Sequence, residues 1–240
     1  MKIGLQLYSI REALDLDYLA TLQQVKQMGY VGVELFGEHH SSADTKAMIK
    51  TSGLAVIAHH FSFEQLHNNF VACAERAKAI GTDFLVCSWS MPSDTLSWSE
   101  ILSGLSEIAL KSKAANLRFA YHNHDHEIRQ TLGDSSVMEQ ILLLTDGEID
   151  LAWVHAGGQN PAVFLEQHAQ KAHLLHIKDV LLEGLAWQTV ELGAGIVPLG
   201  EVLQVAKQTP SEWLIVEQDH SPDPMSSAER NIAWLKAVLT

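Results

Sequence analysis

Eight short runs of apolar and β-branched residues recur along this 240-residue chain, separated by longer segments with helical periodicity. Such alternation is the pattern of repeated βα units, which build a parallel sheet. The runs fall at 3–7, 31–35, 55–58, 84–87, 118–121, 149–152, 174–177 and 214–216, and the helical segments begin near Asp17, Ala43, Phe63, Ser97, Ser135, Pro161, Pro198 and Ser226. Gly29, Gly53 and Gly81 each end an amphipathic run just before a strand, where a helix C-cap needs positive φ. Pro161 behind Asn160, and Pro198, stand where helices start. No Pro- or Ser-rich linker or composition shift divides the chain, so residues 1–240 are expected to form one domain, a closed α/β barrel of the (β/α)8 kind.

Composition narrows the partners. A net charge of −13 disfavours a nucleic-acid backbone, which needs Lys and Arg concentrated on one face. Apolar stretches such as LAVIA and WLIV are far too short to cross a bilayer. Met1 runs directly into a strand-like segment without the features of a secretory signal, so a cytoplasmic protein is expected. Cys73 falls in a helical segment and Cys87 near a strand end, which argues against a disulfide framework. The longest segments expected to be irregular are 123–133, 180–197 and 218–225, all following strands, on the face where barrel enzymes carry their sites.

Four strand ends carry residues able to hold a divalent metal: His122 in RFAYHNHD, Asp150 in EIDLAW, His176 in LLHIKD and Glu217 in LIVEQD. Strand C-termini share one face of a barrel, so the four side chains are expected to converge. Two imidazoles and two carboxylates suit zinc or manganese, with positions left open for substrate. Asp150 in an apolar strand needs a cation, either a metal or, as the plainer alternative, Lys178. By strand alternation His176 and Lys178 share a face, as do Glu217 and Asp219. His124 is expected to contact substrate, and Lys178 to stabilise an oxyanion or carry a proton. Glu34, His60 or its neighbour His59, Trp89 and Trp153 are expected to form the pocket walls, although Glu34 can equally orient a neighbouring histidine. No glycine-rich loop opens a helix in the way a phosphate site requires, which favours a free sugar or sugar derivative.

The segments KIGLQLYS, MGYVGVEL, SGLAVIAHH, YHNHDHE, LLHIKD and IVEQD, taken in order over nearly the whole chain, resemble the xylose isomerase-like barrel superfamily, the sugar phosphate isomerase/epimerase group that also includes endonuclease IV. The resemblance implies one divalent metal, often manganese, held by Glu, Asp, His and Glu from strands five to eight. Three of these carry over as Asp150, His176 and Glu217, and His122 stands where the fifth-strand Glu is usual. In ketose epimerases of the superfamily two glutamates move protons on opposite faces of an enediolate, and here one of them is absent. Endonuclease chemistry is disfavoured, since Trp153 stands where that branch has a His and Gly193–Gly195 lack its Asp and His. The implied reaction is sugar isomerisation or epimerisation by proton abstraction beside a carbonyl. The alternatives are a metal-dependent lyase or dehydratase acting on a keto-sugar or keto-glycoside, and a non-catalytic sugar-binding barrel. Association into a homo-oligomer is left open.

Overall fold

Parallel strands covered on both faces read as nearly continuous apolar runs, and the computed structural model, which describes residues 1–240, closes eight of them into a barrel. They are β1 (Lys2–Gln6), β2 (Gly32–Phe36), β3 (Ala55–Ser62), β4 (Phe84–Trp89), β5 (Arg118–His122), β6 (Asp146–Asp150), β7 (Ala172–Ile177) and β8 (Trp213–Val216). Each pairs with its sequence neighbours, and β1 pairs with β8 to complete the ring. Between strands and surrounding helices lies a cluster of 55 buried apolar residues. No helix is long and apolar enough to cross a membrane.

Local signals set most of the boundaries. Ser62 with Gln65, Ser97 with Glu100 and Ser136 with Glu139 form reciprocal caps at helix starts. Asp17, Asn160 and Asp223 cap three further helices through side-chain oxygens. Gly29, Gly53 and Gly81 have φ of 103°, 73° and 111°, the left-handed conformation expected of them.

Three segments differ from the sequence-based expectation. Strand β6 begins at Asp146 and ends at Asp150, and residues expected to continue it form a short helix, Leu151–Ala156. The cause is Asp150 itself, whose Oδ1 accepts from the backbone N–H groups of Ala152 and Trp153 and so starts a helical turn. Residues expected to be irregular contain a helix, Asp125–Arg129, and a small hairpin of Thr131–Leu132 with Ser135–Ser136. A longer hairpin, Asp179–Glu183 with Ala186–Val190, follows β7.

Along the inside of the barrel the residues form layers. The lowest is apolar: Ile57, Ala58, Phe84, Val86, Ala120, Leu174 and Ile215, with Trp213 packed against them. Gly32 is required here, since a Cβ on it would lie 2.7 Å from the Trp213 ring. Above this layer the interior turns polar. Pairing of β2 with β3 slips by one residue, from Val33↔Val56 to Leu35↔His59, so β3 carries an extra residue. This slip lets both Ile57 and His60, three positions apart, point into the barrel, which strict alternation forbids.

Candidate metal centre

At the C-terminal end of the barrel His122, Asp150, His176 and Glu217 each offer a ligand atom, and these atoms lie within 4.8 Å of one another. Register explains the convergence. Asp150 is paired with His176 across β6 and β7, His122 closes β5, and Glu217 follows β8 with its N–H on the Ile177 carbonyl at 3.3 Å. Asn123 holds the Asp150 backbone from both sides, donating to its carbonyl at 3.2 Å and accepting from its N–H at 3.0 Å. With Oδ1 committed to the helix start, Oδ2 is the Asp150 oxygen left for a cation.

Lys178 is the cation beside this group. Its Nζ lies 3.1 Å from Asp150, 2.9 Å from Glu217 and 2.8 Å from Asp219, and the side chain is fully buried against the Trp153 ring. The plainer sequence reading, an Asp150–Lys178 ion pair, is therefore present alongside the convergence of the four ligand residues. One ammonium does not balance three carboxylates. Asp150 Oδ2 and Asp219 Oδ2 are buried with only the shared Lys178 ammonium beside them. Two imidazoles and two carboxylates converging in this way are a donor set able to hold a divalent cation.

Immediately beneath sits a second polar layer that the sequence only partly disclosed. Glu148, two residues before Asp150 and opposite His122 in the β5–β6 pairing, is fully buried. Its Oε2 lies 2.6 Å from His60 Nε2, 3.3 Å from His122 Nδ1 and 3.3 Å from His176 Nε2. Glu34, also fully buried, accepts from Gln6 at 2.8 Å and lies 2.7 Å from His176 Nε2. The other nitrogen of His176 is 2.9 Å from Glu217.

Burial and neighbouring charge set the ionisation of these groups. Burial opposes ionisation of Glu217, but Lys178 and His176 outweigh it and hold the carboxyl well below the usual range. Burial pushes the Asp150 carboxyl up, to about 6, against the pull of Lys178 and His176. For Lys178 the three carboxylates overcome burial and keep the ammonium charged far above ordinary pH. That group can stabilise negative charge but cannot act as a base. Burial lowers His124 to about 4, so its imidazole is neutral at pH 7.

A cavity of about 440 Å³ opens over the cluster, lined among others by Tyr8, Phe36, His60, Ser88, Trp89, His122, His124, Glu217 and Asp219. Of the expected walls, His60 and Trp89 border this cavity, and Trp89 presents its ring edge-on to His124 at 4.8 Å. Glu34 and Trp153 are not among its lining residues. Glu34 lies below it against two histidines, and Trp153 packs on Lys178. Lys178 is likewise screened from the cavity rather than lining it. Reading the sixth strand from Asp146 would have brought Glu148 into the inward-facing set, since it stands two residues from Asp150.

A family model described as "Xylose isomerase-like TIM barrel" matches residues 22–238, and the chain belongs to that family. Similar solved structures share its fold at low identity. A sugar phosphate isomerase/epimerase from Parabacteroides distasonis is 20% identical, with a TM-score of 0.82 over 98% of this chain and 93% of that one. A "probable 3-DHS dehydratase AsbF" of petrobactin synthesis, from Bacillus anthracis, is 15% identical, with a TM-score of 0.76 over 98% and 99%. An IOLI protein solved with a binding zinc atom is 18% identical, with a TM-score of 0.74 over 100% and 98%. No curated protein sequence matches the chain.

Proposed function

We propose that this protein is a divalent-metal-dependent sugar isomerase or epimerase that removes a proton beside a carbonyl and passes through an enediolate. The observation that carries this reading is the meeting of His122, Asp150, His176 and Glu217 within 4.8 Å beneath an open cavity. Manganese or zinc held by those four residues would polarise the sugar carbonyl and acidify the neighbouring C–H. Glu217, ionised and at the cavity wall, accepts that proton. His124, neutral and on the same cavity, is placed to exchange a proton with the other side of the sugar. Lys178, screened from the cavity, keeps the neighbouring Glu217 carboxyl ionised. Trp89 offers an exposed aromatic surface to the ring. The cavity suits a small free sugar or sugar derivative, and the acidic chain disfavours nucleic acid.

A second outcome is favoured by the imidazoles at this mouth. The cavity wall carries three histidines, His60, His122 and His124, beside Glu217 and Asp219, which suits protonating a departing β-substituent from the same enediolate. Incubation with ketoses, aldoses and keto-glycosides in deuterated water, with manganese and with a chelator, tests both. Metal-dependent appearance of isomers carrying solvent deuterium supports isomerisation, and metal-dependent release of water or aglycone supports elimination. Sugar binding with neither product, unchanged by chelation, contradicts both and indicates a non-catalytic sugar-binding barrel.

A further inference from the structure

The layer beneath the mouth is unusual for the interior of a barrel, which is ordinarily filled by branched apolar side chains. Here Glu34, His60 and Glu148 meet on the axis, and none of the three belongs to the mouth cluster. His60 Nε2 lies 3.1 Å from Glu34 and 2.6 Å from Glu148. The inward-facing nitrogens of His122 and His176 point at the same carboxylate oxygen of Glu148, each at 3.3 Å. Three imidazole nitrogens directed at one point, flanked by two carboxylates, form a convergent donor set. Oε1 of Glu34 and Oε1 of Glu148 are both buried with no hydrogen-bond partner.

Charge leads to the same place. Glu34, Glu148, Asp150, Glu217 and Asp219 surround one ammonium, that of Lys178. One divalent ion at the mouth leaves two negative charges to be balanced in the deeper layer, by protons on its imidazoles or by a second cation. Without an ion there, hydrogen bonding of the deeper layer needs protons on the histidines. His176 faces carboxylate oxygens with both ring nitrogens and satisfies both only as an imidazolium.

We propose a second, deeper divalent-cation site inside the barrel, held by Glu34, His60 and Glu148 with Nδ1 of His122 and Nε2 of His176 directed at it. The mixture of nitrogen and carboxylate ligands selects zinc or manganese over calcium or magnesium. His60 borders the cavity and gives the ion its entry path. Because protein atoms surround it, this ion is structural, in contrast to one at the mouth with positions open to substrate.

Equilibrium dialysis of the whole protein against zinc or manganese, followed by metal analysis, tests this directly. The expected result is two ions per chain at saturation, falling to one in Glu148→Gln and to one in Glu217→Gln. His60→Asn serves as an independent variant should Glu148→Gln fail to fold, and it too is expected to hold one. One ion in the wild type, retained by Glu148→Gln and lost from Glu217→Gln, overturns the deeper site while leaving the mouth site standing. One ion lost from Glu148→Gln and retained by Glu217→Gln supports the deeper site and contradicts the catalytic reading. No bound ion overturns both.

Discussion

Lys178→Met lowers the stability of the metal-free protein by about 3–5 kcal/mol, the cost of removing one partner from a buried ion-pair group. The methionine retains most of the stem's volume, so the loss is electrostatic and not a matter of packing. It leaves Asp150, Glu217 and Asp219 without the ammonium they share. Urea denaturation in the presence of a chelator measures the effect. Saturating manganese is expected to recover part of the deficit, because an ion at the mouth supplies the missing positive charge. A loss below about 1 kcal/mol would place this lysine with exposed ion pairs, whose median worth is small.

Glu217→Gln removes a carboxylate that serves as both ligand and proton acceptor. Activity with the sugar found by the deuterium experiment is expected to fall by about 10²–10⁴-fold, the usual worth of a positioned acid or base. Thermal stability provides a readout that needs no substrate. A ligand at 100 times its dissociation constant stabilises a protein by about 2.7 kcal/mol. Manganese should therefore raise the Tm of the wild type more than that of Glu217→Gln, which retains only the deeper ion. Equal shifts in the two proteins would show that the ion is bound elsewhere.

Much of this arrangement could be read from the chain before any coordinates. The seventh and eighth strands end in compact apolar runs, LLHI and WLIV, so His176 and Glu217 could be placed at the barrel mouth by counting alone. Helix starts were equally legible where a capping side chain stands before an amphipathic run, as at Ser97 and Asn160. The sixth strand was harder, because DGE opens it with polar residues and glycine, and apolar patterning detects only Ile149 onward. That misplaced start hid Glu148, the carboxylate at the centre of the deeper layer. On β3 the slip in register changes which face a residue occupies midway along the strand. Alternation therefore could not decide between His59 and His60.

Burial of Lys178 was beyond pattern reading for a different reason. A lysine at a strand end ordinarily extends its ammonium into water, and only the combined pull of three carboxylates, one ending the sixth strand and two following the eighth, keeps this one inside. The two hairpins were missed because their strands are short or lie at the surface, with Gly133 and Gly184 making tight turns within sequence that otherwise resembles loop.

Crystals grown or soaked with manganese, with anomalous diffraction recorded near the metal edge, test the central claim most directly. The account predicts a peak at the barrel mouth within about 2.0–2.3 Å of Asp150, His176 and Glu217, with His122 completing the set. Absence of that peak in manganese-saturated crystals, with the Lys178 ammonium still lodged between Asp150 and Glu217, would contradict it.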